Sequence, residues 1–193
     1  CSGKHAGMLA ACRANGWPLA GYLAFDHPLQ RRILDRIRHW AGLRADPYRA
    51  VDGCGAPVFH LPLGVMARMF SRLATETALA PLRDAMTAHP ELVAGPGRID
   101  TALMRSGGEG HVLSKVGAEG LLCIADCRSG QALALKVASG NGALRDRLAA
   151  HWASALGWVA PTEDLAPFLE RTLRNSQGLA VGEIAYDPCP FPS

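Results

Sequence analysis

Two short segments, about fifty residues apart, carry side chains that can act together on one ligand. The first opens the chain with Cys1, Lys4 and His5, and the second is an Asp-Gly-Cys-Gly turn that contains Asp52 and Cys54. Thiolate sulfur and nitrogen are donors that Zn2+ prefers, and three of them leave a fourth position open for water. The two segments therefore predict a zinc site in which the cysteines are joined by Lys4 or His5. Lysine is the rarer ligand, because its amine must lose a proton before it coordinates a metal.

The Cys1-x-x-Lys4 spacing has a functional and a structural interpretation. In the functional one, the two side chains lie one turn apart on the same face at the start of a helix, where an ammonium group and the helix N-terminus lower the pKa of a thiol. In the structural one, Cys1 is a small apolar residue and Lys4 is a solvated surface charge. Gly3 and Gly7, and the glycines on either side of Cys54, favour a site, because glycine lets the backbone approach a ligand closely.

A second group of candidate residues lies later in the chain. Ser114 and Lys115 belong to a Ser-Lys-Val-Gly segment. In penicillin-recognising enzymes a Lys-x-Gly strand lies beside a Ser-x-x-Lys helix, and the lysine amines set the proton affinity of the serine nucleophile. The same segment is also common at ordinary strand ends. Arg98, in a Gly-Pro-Gly-Arg segment, either binds a carboxylate bidentately or is a solvated turn residue. We assign Cys123 and Cys127 to the core.

Hydrophobic periodicity predicts the elements that position these residues. Apolar residues three or four apart indicate helices, and alternation between turn signals indicates strands. The predicted helices cover residues 4–15, 28–40 with Asp26 as the N-cap, 63–73, 81–89, 143–156, and a short stretch from Thr162 to about 173. The predicted strands cover residues 111–116, 120–125 and 131–137, as an antiparallel meander, and residues 178–186. The predicted fold class is therefore α+β, with a helical part followed by an antiparallel sheet and a C-terminal helix.

Length and composition favour one globular domain over residues 1–193. Hydrophobic residues make up 49% of the chain and charged residues 19%, close to the averages of globular proteins. The net charge of +3 is small and the basic residues are scattered, so we expect no nucleic-acid partner. The apolar runs are far shorter than the roughly 20 residues that span a bilayer, so we expect no membrane helix. We expect a cytoplasmic protein with its six cysteines reduced, and a proline-rich tail from Asp187 that joins no sheet.

Taken in order, the motifs resemble those of the bacterial L-asparaginase II family, the zinc-containing Rhizobium-type asparaginases. The matching segments are C-S-G-K-H at 1–5, D-H-P-x-Q at 26–30, D-G-C at 52–54, H-P-E-L-V-A-G at 89–95, G-R at 97–98, L-M-R at 103–105 and K-V-G-A-E-G at 115–120. These segments extend over nearly the whole chain. Each segment alone is weak evidence for the family, but their combined order and spacing are specific to it. The resemblance implies a serine β-lactamase and glutaminase-like fold.

The resemblance also implies an activity and a cofactor. The reaction would be hydrolysis of L-asparagine to aspartate and ammonia through a serine acyl-enzyme. Cys1, Lys4 and Cys54 would be the ligands of Zn2+, with water or a substrate group completing a tetrahedron. For the full-length form we expect a homodimer.

Four further residues receive roles from the same resemblance. Lys115 would be the amine of a Ser-Lys pair, and Asp52 would act with it in catalysis. His5 lies where the family has a substrate-site residue, and Arg98 would bind the substrate beside it.

One part of the family pattern is missing from the sequence. The Ser-x-x-Lys element, and a second serine that pairs with the Lys115 equivalent, precede the C-S-G-K-H segment in the family. Ser2 and Lys4 cannot replace that element, because side chains two residues apart on a helix point about 200° from each other. We therefore expect the chain to be a C-terminal portion that lacks the nucleophilic serine and leaves a sheet edge exposed.

Two other functions stay open at this point. Cys1 can serve as an N-terminal nucleophile whose own α-amine is the base, in an amidohydrolase that needs no Ser-x-x-Lys. That class requires a strand at residue 1, whereas residues 2–12 have the pattern of a helix. The other possibility is an inactive relative that binds zinc and turns nothing over.

Overall fold

The computed structural model describes residues 1–186, and six of the eight helices in this range precede the three-stranded central sheet. The helices are α1 (Ser2–Ala14), α2 (Pro28–Ala41), α3 (Leu63–Thr75), α4 (Ala80–Ala88), α5 (Pro90–Val93), α6 (Ile99–Ser106), α7 (Gly142–Ala155) and α8 (Ala166–Leu169), with a 3-10 turn at Thr77–Leu79. The strands are β1 (Arg49–Val51), β2 (Pro57–Phe59), β3 (Val112–Val116), β4 (Leu121–Asp126), β5 (Ala132–Lys136), β6 (Thr172–Arg174) and β7 (Ala180–Glu183). No helix in this part of the chain combines the length and the apolar character needed to cross a membrane. The tail from Asp187, including Cys189, lies outside the described residues.

The boundaries of α2 follow from its capping residues. His27 has extended dihedrals, and its Nδ1 accepts the backbone N–H of Leu29 at 3.2 Å. Its Nε2 lies 2.9 Å from the carbonyl oxygen of Pro18, which can only accept, so this nitrogen carries the proton. At the other end Gly42 adopts a φ of 66°, the left-handed conformation that ends many helices. The prediction that Asp26 is the N-cap is wrong, because the neutral imidazole of His27 already caps the helix.

The central sheet is the antiparallel meander that the sequence predicts. β3 pairs with β4 so that Lys115 lies opposite Cys123, and β4 pairs with β5 so that Cys123 lies opposite Ala134. α6 and α7 cover one face of this sheet, and α3 covers the other. The main core between the sheet and α6 and α7 contains Ile99, Ala102, Leu103, Val112, Leu122, Ile124, Ala149, Ala150, Ala153, Trp158, Val159 and Leu165. The class is α+β as predicted.

The core assignment of the two central cysteines agrees with their burial. Cys123 is 5% exposed, and burial raises the pKa of its thiol to about 11, so the thiol stays protonated at neutral pH. Cys127 is half-buried and packs against a small cluster around Leu113. The five cysteines in residues 1–186 are all free thiols.

The segment after α7 differs from its prediction. Thr162 does accept the N–H of Leu165 through its hydroxyl at 3.3 Å, as a capping residue would. The helix that follows is only α8, because Glu170 adopts extended dihedrals and the chain continues into β6. β6 pairs antiparallel with β7, whose four residues are fewer than the strand predicted over 178–186. The predicted continuation of a helix to residue 173 is therefore wrong, since pairing with β7 takes those residues.

A buried carboxylate organises the turn between β4 and β5, and it predicts a pH dependence. Asp126 accepts the Nε–H of Arg128 at 2.9 Å and the backbone N–H and hydroxyl of Ser129 at 3.0 and 2.7 Å. Burial favours the neutral acid, but the bonds from Ser129 and Arg128 outweigh it, so the pKa of Asp126 lies below its ordinary value.

A folded-state pKa below the unfolded value gives stability that is present above about pH 4 and is lost as the pH falls. We expect Asp126→Asn to cost about 1–3 kcal/mol at pH 7, because the amide cannot accept all three bonds. The cost should shrink towards pH 3, as measured by urea denaturation at both pH values. The exposed Asp84 supplies the control Asp84→Asn, and a cost for Asp126→Asn that does not change with pH would contradict the assignment.

Candidate active site

A two-stranded hairpin, β1 with β2, holds the Asp-Gly-Cys-Gly turn predicted from the sequence. The backbone N–H of Asp52 donates to the carbonyl of Ala56 at 2.9 Å, and Gly55 N–H donates back to the carbonyl of Asp52 at 3.0 Å. Gly55 has a φ of 82°, a left-handed conformation that favours glycine. The turn thereby places the side chains of Asp52 and Cys54 on one side, facing the first two turns of α1.

The carboxylate of Asp52 is the centre of this site. Its Oδ1 accepts the backbone N–H groups of Cys54 and Ala56, at 3.0 and 2.9 Å, and the thiol of Cys54 at 2.9 Å. Its Oδ2 accepts Lys4 Nζ at 2.5 Å. The Cys54 thiol and, after it, the Lys4 ammonium hold the pKa of Asp52 well below its ordinary value. Bonding to Asp52 in turn raises the pKa of Lys4. The Asp52 carboxylate therefore binds both the Lys4 amine and the Cys54 thiol.

His5 extends this arrangement on the other side of Cys54. Its Nε2 lies 3.0 Å from Cys54 Sγ, and its Nδ1 lies 2.6 Å from the hydroxyl of Tyr22. Because the thiol proton of Cys54 is donated to Asp52, the sulfur can only accept from His5, so Nε2 carries the imidazole proton. A continuous chain of hydrogen bonds therefore runs from Tyr22 through His5 and Cys54 to Asp52.

The loop before α2 brings Tyr22 to His5, and Gln30 fastens that loop. Gln30 is 3% exposed, and its side-chain amide donates to the carbonyl of Tyr22 at 2.8 Å and approaches the sulfur of Met8 at 3.5 Å. The D-H-P-x-Q segment thus holds the site in place from the inside. Sequence reasoning missed Tyr22, and its position between the segments 1–5 and 26–30 is the one signal that could have indicated it.

Cys1 lies next to this cluster along α1 but outside its hydrogen bonds. It occupies the N-cap position of α1, its side chain makes no capping bond, and the residue is exposed. Within residues 1–186 no three His, Cys, Asp or Glu side chains are arranged to hold a metal ion. The predicted zinc ligands, Cys1, Lys4 and Cys54, are not such a group, because one of the three is a lysine. By type, two thiols and an amine suit Zn2+, and the protons that Lys4 and Cys54 must lose are those they now donate to Asp52.

The structure does not bring two of the predicted site residues into this cluster by direct bonds. Lys115 is exposed on β3, and its Nζ donates to the carbonyl of its neighbour Val116 at 2.7 Å. It borders an apolar cleft of about 250 Å3 whose walls include Met66, Met69 and Phe70 of α3. Arg98 is exposed at the N-cap of α6. In the described part of the chain no hydrogen bond or ion pair joins either residue to Asp52.

Comparison with known proteins agrees with the motifs. The family model described as L-asparaginase II matches residues 1–186, which is almost the whole chain. The match includes every residue of the cluster around Asp52 and both Arg98 and Lys115. A search of curated proteins gives no match.

Proposed function

The chain belongs to the L-asparaginase II family, and from this premise we propose that it forms the substrate site and the proton-handling lysine of an enzyme that hydrolyses L-asparagine. Asparaginase-type amide hydrolysis is the activity of the family. The observation that carries the proposal is the cluster of Lys4, His5, Asp52 and Cys54. Lys4 and Cys54, from two separate motifs, both bond to the Asp52 carboxylate, and His5 bonds to Cys54. A solvated helix end and an ordinary turn would not need these contacts.

The roles follow from the chemistry of the substrate. L-Asparagine has an α-carboxylate, an α-ammonium and a neutral carboxamide. Arg98 has the guanidinium that a carboxylate binds bidentately, and the His5 ring lies at the edge of the cluster between Tyr22 and Cys54. Asp52 holds Lys4 and Cys54 in place through the bonds that its carboxylate accepts from them. These assignments make Arg98 and His5 the substrate-binding residues, and the predicted catalytic part of Asp52 is to position Lys4 and Cys54.

The reaction is a two-step acyl transfer. A serine oxygen attacks the carboxamide carbon, the C–N bond breaks, and the nitrogen leaves as ammonia after it accepts a proton. Water then cleaves the serine ester to give aspartate and restores the serine hydroxyl. Lys115 is the amine that takes the serine proton and returns it to the leaving nitrogen. Lys115 suits this role because it lies on a strand of the sheet and at the mouth of a cleft.

We propose that the serine is supplied to residues 1–193 by a Ser-x-x-Lys segment. No Ser-x-x-Lys occurs anywhere in the 193 residues. The two edges of the central sheet support this proposal, because they differ. On the β3 edge Asp100 accepts the N–H of Val116, whereas β5 pairs only with β4 among the described residues. A cleft of about 430 Å3 with Leu133, Leu156 and Trp158 in its walls runs beside β5. An added strand would satisfy that edge and fill the cleft.

The competing use of Cys1 as an N-terminal nucleophile is not favoured by the fold. That mechanism needs a strand at the start of the chain, and residues 2–14 form α1. The cytoplasmic location and the homodimer stay predictions.

Zinc is part of the proposal, with Cys1, Lys4 and Cys54 as its ligands. When bound, the ion would polarise a substrate group and help to orient it. We expect about one Zn2+ per chain after reconstitution, and a content near zero in Cys54→Ser, as measured by elemental analysis of the gel-filtered protein.

The control for this measurement is Cys127→Ser. It removes a half-buried core thiol that lies outside the cluster and should leave the zinc content unchanged. A zinc content near zero in the wild-type chain, or one that is equal in Cys54→Ser and the wild type, would contradict the ligand assignment.

A further inference from the structure

The strand that carries Lys115 is held from its outer edge by a buried carboxylate. Asp100, in the first turn of α6, is 1% exposed. Its Oδ1 accepts the hydroxyl of Ser114 at 2.6 Å, and its Oδ2 accepts the backbone N–H of Val116 at 3.0 Å. Ser114 is itself fully buried. One carboxylate therefore binds the residue before Lys115 and the residue after it.

A second charged side chain reaches the next residue of the same segment. Arg145 of α7 is 7% exposed, and its Nη1 lies 3.4 Å from the carbonyl oxygen of Gly117. Its Nε and Nη2 donate to Asp146 at 2.8 and 2.6 Å, so its charge is balanced beside the strand. The backbone from 114 to 117 is thus fixed by two helices that approach from the same side.

Stability alone does not account for a carboxylate in this position. Removing a carboxylate from water is costly, and an apolar side chain of similar size usually serves a core at least as well. The carboxylate fixes the orientation of the backbone, because its two oxygens bind the Ser114 hydroxyl and the Val116 N–H on either side of Lys115. The Val116 N–H is also withdrawn from water and from any neighbouring strand.

We propose that Asp100, supported by Arg145, is the positioning residue for Lys115. Fixing Ser114 and Val116 fixes the Cα of Lys115 and limits the directions its side chain can take, which is what accurate proton transfer requires. Asp100 does not contact the substrate in this account. The inference rests on the proposed role of Lys115 in amide hydrolysis.

The test is Asp100→Ala in the form of the enzyme that releases ammonia. Alanine has no acceptor, so both the Ser114 hydroxyl and the Val116 N–H lose their partner, whereas an asparagine amide could accept from Val116 and donate to the Ser114 hydroxyl. We expect kcat to fall by about ten- to a hundredfold, with KM changed less than about twofold, because binding groups are untouched. The matched control is Asp164→Ala, which removes an exposed carboxylate that pairs with Arg105. Ser114→Ala removes only one of the two bonds and should give a smaller fall in kcat.

Hydrogen exchange and NMR separate this inference from the proposed function. In Asp100→Ala the Val116 amide should exchange at least about tenfold faster while the amides paired between β4 and β5 keep their rates. The side-chain 13Cε signal of Lys115 should shift and change its relaxation in the variant. If the wild-type enzyme releases no ammonia in any form, the proposed function fails, and these signals of Lys115 alone decide the positioning role.

Two results would overturn the inference. One is a kcat that stays at the wild-type value in Asp100→Ala although the Val116 amide exchanges faster, since Asp100 would then hold the strand without serving Lys115. The other is an unchanged Lys115 signal in the variant. If Asp100→Ala does not fold, Ser114→Ala decides by the same measurements.

Discussion

The 193-residue chain alone is expected to release ammonia from L-asparagine at least about 10^4-fold more slowly than the same chain supplied with the Ser-x-x-Lys segment of its family. The physical reason is the missing nucleophile. The cluster around Asp52 can bind and orient a substrate, and Lys115 can carry a proton, but no covalent intermediate forms without the serine. Removing a nucleophile from an enzyme that works through such an intermediate abolishes most of the rate even when binding survives.

The measurement is ammonia release at saturating asparagine, with the segment fused ahead of Cys1 or added as a separate polypeptide. The control replaces the serine of that segment by alanine, which leaves the added strand and helix in place. Rapid turnover by the chain alone that is lost in Cys1→Ala, and not in Lys115→Ala, would contradict the proposal and favour Cys1 as the nucleophile.

The sequence was sufficient to predict that the segments 1–5 and 52–54 lie close together. Lys4, Asp52 and Cys54 could be placed together because their side-chain types suit one ligand site, and the zinc-ligand set of Cys1, Lys4 and Cys54 stays a prediction. The sequence could not show that Asp52 would bind both Lys4 and Cys54. That depends on the geometry of a tight turn, in which the carboxylate folds back over its own following residues.

Side chains that only support the site were the hardest to predict. Tyr22 contacts His5 across 17 residues, and Asp100 contacts Ser114 across 14. Neither contact leaves a periodic pattern, since each joins one residue of a loop or helix to one residue of another element. The partner is set by how the elements pack, which is a property of the whole core.

The sheet was predicted more accurately than the segments at either end of it. β3, β4 and β5 are short β-prone runs separated by turns that contain glycine, so local signals and long-range pairing agree. The short strands β1 and β6 have only three residues each, too few for a period of two to appear. In β6 the residues had a helical pattern as well, and pairing with β7 decided the outcome.

The exposure of Lys115 is consistent with a catalytic role only if another group completes its surroundings. In residues 1–186 its amine bonds to the carbonyl of Val116, and the cleft beside it is lined almost entirely by apolar side chains. A serine brought to that cleft would give the amine a hydroxyl partner within reach.

We therefore expect Lys115→Ala to reduce kcat of the completed enzyme by about 10^2- to 10^4-fold, the usual contribution of a positioned acid or base. KM should change little, since the cluster around Asp52 and the Arg98 guanidinium do the binding in this proposal. Steady-state ammonia release gives both constants, and the zinc content checks that the ligand cluster is intact.

Lys136→Ala is the matched control for that result. Lys136 is an exposed lysine of the same sheet, on β5, whose amine donates to the carbonyl of Glu119 and lies outside the cleft that Lys115 borders. Equal losses in both variants would mean that lysines stabilise the sheet and that neither handles a proton. A loss confined to Lys115→Ala, with folding and zinc content preserved, would assign the proton transfer to this amine, because truncating its side chain removes the amine and leaves β3 paired with β4.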